Sequence, residues 1–224
     1  MPARLPGNGR TGVCMTRKTN ILRLALGFAA IAALMVPSSS AAASSCPNSG
    51  VLAGTTSVAA FNDSILCLLN NQRTDNGLAP LSSDDSLAAA ALGHSASMKA
   101  NSYFQHDSPD GTSFSDRIAE TGYLRGAQRW VVGENIAWGS LTLGTPQALM
   151  TAWMNSPEHR ANILEPAYRE IGVGTVWGSP NNPNTVAAAI VDTDFGFVKA
   201  KGKKSKRAKK ARRAKKAKRA RATK

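Results

Sequence analysis

The segment NSPEHRANIL, residues 155–164, has the features of a helix N-terminus. Ser156 can accept a hydrogen bond from a free backbone N–H, Pro157 suits the first helical position, and Glu158 complements the positive end of the helix dipole. His159 then lies in the first turn, where the dipole opposes a positive charge and favours a neutral imidazole. Such a ring can accept a hydrogen bond or bind a metal, although a surface histidine without a function fits the same pattern.

The apolar segment VVGENIAWG, residues 131–139, contains a single acid. In a regular strand, Glu134 shares a face with Val132, Ile136 and Trp138. A carboxylate on such a face is costly unless a group pairs with it, and a neighbouring histidine would offset that cost. The alternative is an exposed strand end with Glu134 in water.

Two further histidines lie upstream of this segment. His106 stands in YFQHDSPDG, between the aromatic residues Tyr103 and Phe104 and a Pro-Asp-Gly turn. A loop residue held between an aromatic anchor and a rigid turn is often a site residue, although capping of the turn is an equal alternative. His94 lies on the apolar stripe of a predicted helix, and we assign it to helix packing.

Apolar periodicity places helices mainly in the first half of the chain and strands mainly in the second. Helical spacing, caps and breaks predict helices at 61–73, from 83–85 onward, at 112–120 and from 145 onward, and strands are predicted at 131–138, 170–177 and 185–192. This order predicts an α+β fold in which helices cover a small, mainly antiparallel sheet.

The formal net charge of +14 is unevenly distributed along the 224 residues. Of the 28 Lys and Arg residues, 16 lie in residues 199–224 and five in residues 1–43, and neither segment contains an acid. The remaining seven share residues 44–198 with all 14 acids. The chain therefore combines an acidic body with a strongly cationic tail.

The first 43 residues resemble an export signal. Arg17, Lys18 and Arg23 form a positive region, residues 21–36 are almost wholly apolar, and Ala43 ends a small-residue cleavage site. The apolar run is too short for a typical membrane span, so we expect residues 1–43 to be cleaved and the protein to be secreted, not transmembrane. Because the positive region is unusually long when counted from Met1, we expect translation to start at Met15.

Cleavage after residue 43 removes Cys14 and leaves Cys46 and Cys67 as an even pair. In an oxidising compartment such a pair predicts a disulfide, here joining a flexible arm at residues 44–60 to the first helix. A buried thiol at Cys67 with an incidental Cys46 is the alternative. A lipid anchor at Cys46 is less favoured, because no large aliphatic residue stands shortly before it.

The tail at residues 199–224 repeats units of one small and two basic residues. Alanines three residues apart precess around a helix, so no fixed apolar stripe forms, and charge repulsion predicts a disordered segment in solution. Available polyanions are acidic wall polymers, anionic lipid headgroups and extracellular DNA, whereas export argues against genomic DNA. A solubilising tail without a specific partner is the alternative.

Several motifs occur in an order that resembles a known family: LLNNQRTDNGLAPL, LAAAALGHSASMKANSYFQHDSPDG, GENIAWG, AWMNSPEHRANIL, EIGVGT and DTDFG. Together, from about residue 64 to residue 196, they resemble the bacterial SCP-like branch of the CAP superfamily, which includes cysteine-rich secretory proteins, antigen 5 and pathogenesis-related proteins. The resemblance implies a CAP domain at residues 61–198, folded as a three-layer α-β-α sandwich with a cleft. It also implies that His106, Glu134 and His159 match three of the family's four cleft residues.

The fourth cleft residue departs from the pattern. The family's second glutamate lies a few residues after the tryptophan that Trp153 resembles, where this chain has Asn155 and Ser156. Some animal members hold a metal through two histidines, so His106 and His159 are the candidate ligands. Two imidazoles and one carboxylate could bind zinc with water in the fourth position.

The resemblance favours binding over catalysis, since family members are described as binding sterols, fatty acids or other partners, and peptidase activity is not general. From the residues, no nucleophile lies beside a base, because Ser156 is expected to cap its helix. We predict a secreted, non-catalytic binding or scaffold module, held at the cell envelope by its tail. The alternatives are a hydrolase that activates water, with or without a divalent metal, in the same cleft, and a carrier of a lipid, sterol or other hydrophobic small molecule.

Overall fold

The computed structural model describes residues 45–182, 185 and 187–200. The predicted export signal, and the tail beyond residue 200, lie outside these described residues. The elements are helices α1 (Val58–Asp75), α2 (Asp85–Ala100), α3 (Phe114–Glu120), α4 (Pro146–Asn155) and α5 (Pro157–Ile163), a short 3-10 helix (Leu141–Gly144), and strands β1 (Ser82–Ser83), β2 (Ala127–Ser140), β3 (Glu170–Trp177) and β4 (Ala188–Ala200).

The four strands form one sheet in the order β1-β3-β4-β2. β1 pairs with β3 in parallel through two residues, whereas β3 and β2 both run antiparallel to β4. The prediction of a small, mainly antiparallel sheet is therefore confirmed. Because β2 is an edge strand, residues from both faces of the sheet can meet beside it.

Helices cover both faces of this sheet, which confirms the α+β sandwich. Side chains alternate along β4. Val191 and Phe195 point into the main core with residues of α1, α4 and α5, such as Phe61 and Trp153. Asp192 lies on the opposite face, against α2.

Glycines set the close approach of α2 to the sheet. A Cβ at Gly172 would lie 2.0 Å from the backbone nitrogen of Ala88, and one at Gly174 would lie 2.1 Å from that of Leu92. Only glycine leaves room for this contact. The close packing places His94 of α2 directly over β4.

The structure differs from the predicted arm at residues 44–60. Residues 58–60 already belong to α1, whose N-cap is Ser57, and Ala53 is buried in the main core. The predicted disulfide between Cys46 and Cys67 is present and ties this segment to α1. Apolar burial and the covalent bridge therefore order a stretch whose small, polar composition suggested an arm.

Strand limits were predicted less well than helix limits. β3 has the predicted bounds, but β2 begins four residues earlier than expected, and β4 begins at Ala188 and continues eight residues past the predicted end at Asp192. Because β2 and β4 are longer than predicted, they remain paired with each other beyond the end of β3. Within the described part of the chain, no helix has the length and apolar composition required to cross a bilayer.

Candidate functional site

Glu134 is the centre of the candidate site. It lies on β2 opposite Asp194 of β4, and its side chain is fully shielded from solvent. The Nδ1 atom of His106 lies 2.7 Å from Glu134 Oε1, so the predicted pairing with a histidine is present. Arg117 of α3 donates a hydrogen bond to the other oxygen, Oε2.

Arg117 also positions the loop that carries His106. Its Nη2 donates to the carbonyl of His106 at 2.9 Å. Its Nη1 donates to the carbonyl of Thr112 at 3.1 Å and to Ser108 Oγ at 3.2 Å. One guanidinium thus joins the carboxylate and both ends of the loop. Sequence reasoning missed this residue, because a seven-residue helix has too little periodicity to distinguish a buried arginine from a surface one.

Glu134 remains ionised despite its burial. Burial alone raises the pKa of this carboxyl, but hydrogen bonds from His106 and His94 and the charge of Arg117 outweigh it and lower the pKa to about 2. A carboxylate only accepts hydrogen bonds, so His106 donates Nδ1–H to it. In the neutral form of the His106 ring, Nε2 therefore carries the lone pair.

Below Glu134 lies a second layer of ionisable groups that the sequence did not reveal. The Nδ1 atom of His94 lies 2.9 Å from Asp192 Oδ2 and 3.2 Å from Glu134 Oε2, and His94 and Asp192 are both fully buried. The assignment of His94 to helix packing is therefore incomplete, since the ring packs inside α2 and also contacts two carboxyl groups. Asp194 is equally buried, and neither of its carboxyl oxygens has a hydrogen-bond partner.

The pKa values of Asp192 and Asp194 are shifted in the opposite direction to that of Glu134. Burial raises the pKa of Asp192 well above its ordinary value, and the charge of Glu134 raises it further. Burial likewise raises the pKa of Asp194, with Asp192 and Glu134 adding to the effect. Arg117 and His106 bind Glu134 directly, so the negative charge resides on that residue and the aspartates favour the protonated form.

This arrangement makes stability depend on pH. Above the unfolded-state pKa of an aspartate, about 3.9, the folded protein holds a proton on Asp194 that the unfolded chain has released. The free energy of unfolding should then fall by about 1.4 kcal/mol per pH unit for each such acid, until pH passes the folded-state pKa. Asp194→Asn should make this decline shallower as pH rises above about 4, as measured by urea unfolding at a series of pH values. Asp63→Asn, at an exposed position on α1, is the matched control; equal slopes in both variants would contradict the assignment.

His94, Glu134 and Asp192 form the one group of three or more potential metal ligands within the described residues, with ligand atoms within 4.8 Å of one another. The Nη2 atom of Arg117 lies 3.1 Å from His94 Nδ1 and bonds Glu134 Oε2. The guanidinium therefore occupies the place where a metal ion would bind these atoms. This buried cluster is a charge-balanced support for the site and does not resemble a metal centre.

His159 reaches the same strand from the opposite face of the sheet. The Asn135 side chain donates to the carbonyl of His159 at 3.1 Å, and the Asn162 side chain donates to the carbonyl of Glu134 at 3.0 Å. Burial lowers the pKa of His159, the charge of His106 lowers it further, and Glu158 acts in the opposite direction. His106 bonds Glu134 and the carbonyl of His159 accepts from Asn135, so the two histidines contact consecutive residues of the edge strand β2.

Ser156 does not perform its predicted role. It is the N-cap residue of α5, but its hydroxyl makes no capping hydrogen bond. The hydroxyl instead donates to Glu158 Oε2 at 3.3 Å and lies 2.8 Å from His159 Nδ1. In the tautomer that lets the hydroxyl donate to the Glu158 carboxylate, the hydroxyl accepts Nδ1–H from His159, and Nε2 carries the lone pair of this neutral ring as well. Glu158, which the sequence assigned only to the helix dipole, therefore also acts on His159 through Ser156.

The two predicted metal ligands share one chemical feature. In His106 and His159 alike, Nδ1 donates to an oxygen, the arrangement that commonly orients a metal-binding imidazole, so both rings fit a metal bound through Nε2. Glu134 does not fit as a third ligand, because His106 uses one of its oxygens and Arg117 the other. Metal binding by His106 and His159 stays a prediction.

Comparison with known proteins gives a consistent result. The model of the cysteine-rich secretory protein family, CAP, matches residues 66–188. The Bacillus subtilis protein YkwD is 40% identical over 120 residues, which cover 54% of this chain and 44% of that protein. The membrane protein YlbC of the same organism is 40% identical over 110 residues, covering 49% and 30% respectively. The chain thus spans less than half the length of these two curated relatives.

Two solved structures are similar to part of this chain. An extracellular protein from Bacillus anthracis that contains an SCP domain is 30% identical, with 63% of this chain and 44% of that chain covered and a TM-score of 0.48. An outer surface protein from Borrelia burgdorferi is 22% identical, with 60% of this chain and 90% of that chain covered and a TM-score of 0.50. At this identity the second likeness concerns the fold alone.

Proposed function

Because this chain belongs to the cysteine-rich secretory protein (CAP) family, we propose that it is a secreted binding module that presents His106 and His159 to a ligand and catalyses no reaction. The ligand would bind at the edge of β2, where the two histidines contact the consecutive residues Glu134 and Asn135. The rings offer two Nε2 lone pairs. The matching ligand classes are a hydrogen-bond donor or a divalent metal such as zinc.

The observation that carries this proposal is the complete pairing of Glu134. A general base works best when its pKa lies near the working pH, and a carboxylate with a pKa of about 2 takes up a proton poorly at neutral pH. Its two oxygens are already bound by His106 and Arg117. Glu134 is therefore suited to orienting His106 and unsuited to activating water.

The hydrolase alternative lacks a free nucleophile among these groups. Ser156 lies beside His159, but its hydroxyl bonds both Glu158 and the ring of His159 within the first turn of α5. Activation of Ser156 would require His159 to accept the serine proton at Nδ1, the nitrogen that holds a proton in this arrangement. The local geometry therefore favours an orienting role for Ser156.

The alternative of a lipid or sterol carrier is weaker. A groove of about 280 Å³ lies between α1 and α2 above β3, lined by apolar residues such as Val58, Leu92 and Val173 but also by Asp85. Its volume falls just below the range of about 300–1,000 Å³ typical of small-molecule pockets. A bulky apolar ligand would remain largely exposed there, so we favour the histidine site.

The binding proposal is tested with zinc as the probe. Calorimetry and native mass spectrometry of the secreted protein should show zinc binding that His106→Ala and His159→Ala each weaken at least about tenfold. Arg160→Gln, an exposed change on the same helix as His159, is the matched control and should bind zinc as the unaltered protein does. If the protein does not bind zinc, the metal is excluded as its ligand. If the unaltered protein hydrolyses peptides and both histidine variants lose that activity, the non-catalytic proposal is overturned.

Retention at the cell envelope is the second part of the proposed function. Residues 44–198 carry twice as many acids as bases, so attraction to an anionic wall polymer or to lipid headgroups must come mainly from the 16 Lys and Arg of residues 199–224. Deleting residues 201–224 should release the protein into the medium. High salt should have the same effect, because the attraction is screened. Unchanged location under both conditions would contradict this part of the proposal.

A further inference from the structure

The positive charges of the acidic body are concentrated at one end. Two of the seven bases in residues 44–198, Arg73 and Arg117, are largely shielded from solvent and donate hydrogen bonds inside the protein. Arg125, Arg129 and Arg169 are exposed and lie where β2 begins and β4 ends. This end of the molecule is therefore cationic, although the body as a whole is acidic.

The same end is a two-stranded ribbon that projects past β3. Pairing between β3 and β4 stops at Glu170 and Gly196, whereas β2 and β4 remain paired as far as Ala127 and Ala200. At the tip Arg129 pairs with Lys199, and both are exposed. Residues 121–133 and 195–200 contain no acid. No carboxylate from the ribbon itself neutralises its tip.

An exposed tryptophan lies at this cationic tip. Trp130 is 50% exposed and pairs across the strands with the half-buried Val198. On the opposite face of the ribbon, Arg169 lies over the ring of Phe197 at 6.0 Å. Arg129 and Lys199 lie on that same opposite face, so the tip presents a half-exposed indole on one face and two cations on the other. This combination is well suited to the boundary between an apolar phase and an anionic surface when the tip is inserted end-on.

The chain leaves the folded body at this tip. The last described residue, Ala200, ends β4 beside Ala127, and the sequence continues into the cationic segment 201–224. Attraction through that segment would bring the ribbon tip to the same surface. The tip and the segment can therefore bind together, which would make the attachment stronger than that of either alone.

We propose that the ribbon tip, with Trp130 on one face, Arg129 and Lys199 on the other and Arg125 in the turn before β2, docks end-on into the interface of an anionic phospholipid bilayer. The inference rests on the proposed envelope retention and specifies its partner. A dissolved wall polymer would satisfy the cations but would offer no apolar boundary for the indole. A bilayer provides both, since tryptophan favours the membrane interface and each Lys or Arg is attracted to anionic headgroups.

The test uses the secreted full chain and vesicles of phosphatidylglycerol mixed with phosphatidylcholine, with pure phosphatidylcholine vesicles and soluble polyphosphate as comparisons. Trp130→Ser should weaken partitioning to the anionic vesicles at least about tenfold, and Arg129→Gln should weaken it about fivefold. Leu143→Ser, which removes an exposed leucine after the far end of β2, is the matched control and should leave partitioning unchanged. Binding to polyphosphate should not respond to Trp130→Ser.

Three outcomes would overturn the inference, and they separate it from the retention proposal. If deletion of residues 201–224 abolishes vesicle binding but Trp130→Ser behaves like Leu143→Ser, retention stands and the docking tip is wrong. If Trp130→Ser weakens polyphosphate binding equally, the tip meets a soluble polyanion and the lipid assignment is wrong. If the full chain binds neither anionic vesicles nor polyphosphate, both proposals fail. Circular dichroism of each variant confirms that the compared proteins are folded.

Discussion

Replacing Arg117 with methionine should lower the free energy of unfolding by about 3–5 kcal/mol. The substitution leaves Glu134 ionised and buried without its main counter-charge, and it also removes the hydrogen bonds that Arg117 donates to the carbonyls of His106 and Thr112. Leaving one buried charge unpaired is among the most destabilising single changes known. Urea unfolding at pH 7 measures the loss.

The control for this prediction is Arg125→Met, which removes an exposed arginine only eight positions away. The free energy of unfolding of Arg117→Lys should lie between those of the two methionine variants. Lysine keeps the positive charge but lacks the planar set of donors that bonds the carboxylate and the loop carbonyls together. A further sign of the same cause is that the pKa of Glu134 should rise in Arg117→Met, since burial is then opposed only by the histidines. Equal stability of Arg117→Met and Arg125→Met would show that the guanidinium does not support Glu134.

Replacing both Cys46 and Cys67 with alanine should lower the free energy of unfolding by about 3 kcal/mol. The bridge spans 21 positions and restricts the unfolded chain, and it also holds residues 45–57 against α1. The oxidised protein in urea, compared with the double variant, measures the difference. Reductant should destabilise the unaltered protein to the same extent and should leave the variant unchanged; a response of the variant to reductant would point to a cause other than this bridge.

Local signals in the sequence predicted the positions of several elements. Asp84 caps α2 by accepting from the backbone nitrogens of Ser86 and Leu87. Thr145 caps α4, with Pro146 at the first helical position. Caps and proline act over three or four residues, so they can be recognised without knowledge of the remaining fold. The arm at residues 44–60 was misjudged because its order comes from distant contacts and from the bridge.

The candidate site was predictable only where a residue conflicts with its local surroundings. Glu134 was noticed because a carboxylate on an apolar strand face requires a partner. Local patterns had also singled out His106 and His159, and the resemblance to the CAP family then joined the three residues in one cleft. Arg117 and Asp194 gave no such signal, since an arginine in a short helix and an acid after a predicted strand end are ordinary surface patterns. Long-range pairing between β2 and β4 places Asp194 beside Glu134. A local pattern does not encode such pairing.

Ser156 shows how a correct local rule can assign the wrong partner. Its position as N-cap was predicted correctly, and a serine there usually bonds a backbone N–H. In this chain His159 stands three residues later, and its Nδ1 lies 2.8 Å from the Ser156 hydroxyl oxygen. The side-chain partner replaces the backbone partner, which alters the chemistry of the site without altering the helix.

The protonation of Glu134 itself provides the most direct measurement. Carbon-13 labelling of the glutamate carboxyls, with Glu134→Gln to assign the signal, follows this one group as pH falls from 7. The site described above predicts that the Glu134 signal stays that of an ionised carboxylate down to about pH 3, consistent with a pKa of about 2. A Glu134 signal that titrates at pH 5 or above while the protein remains folded would contradict it, and would return this residue to the role of a general base.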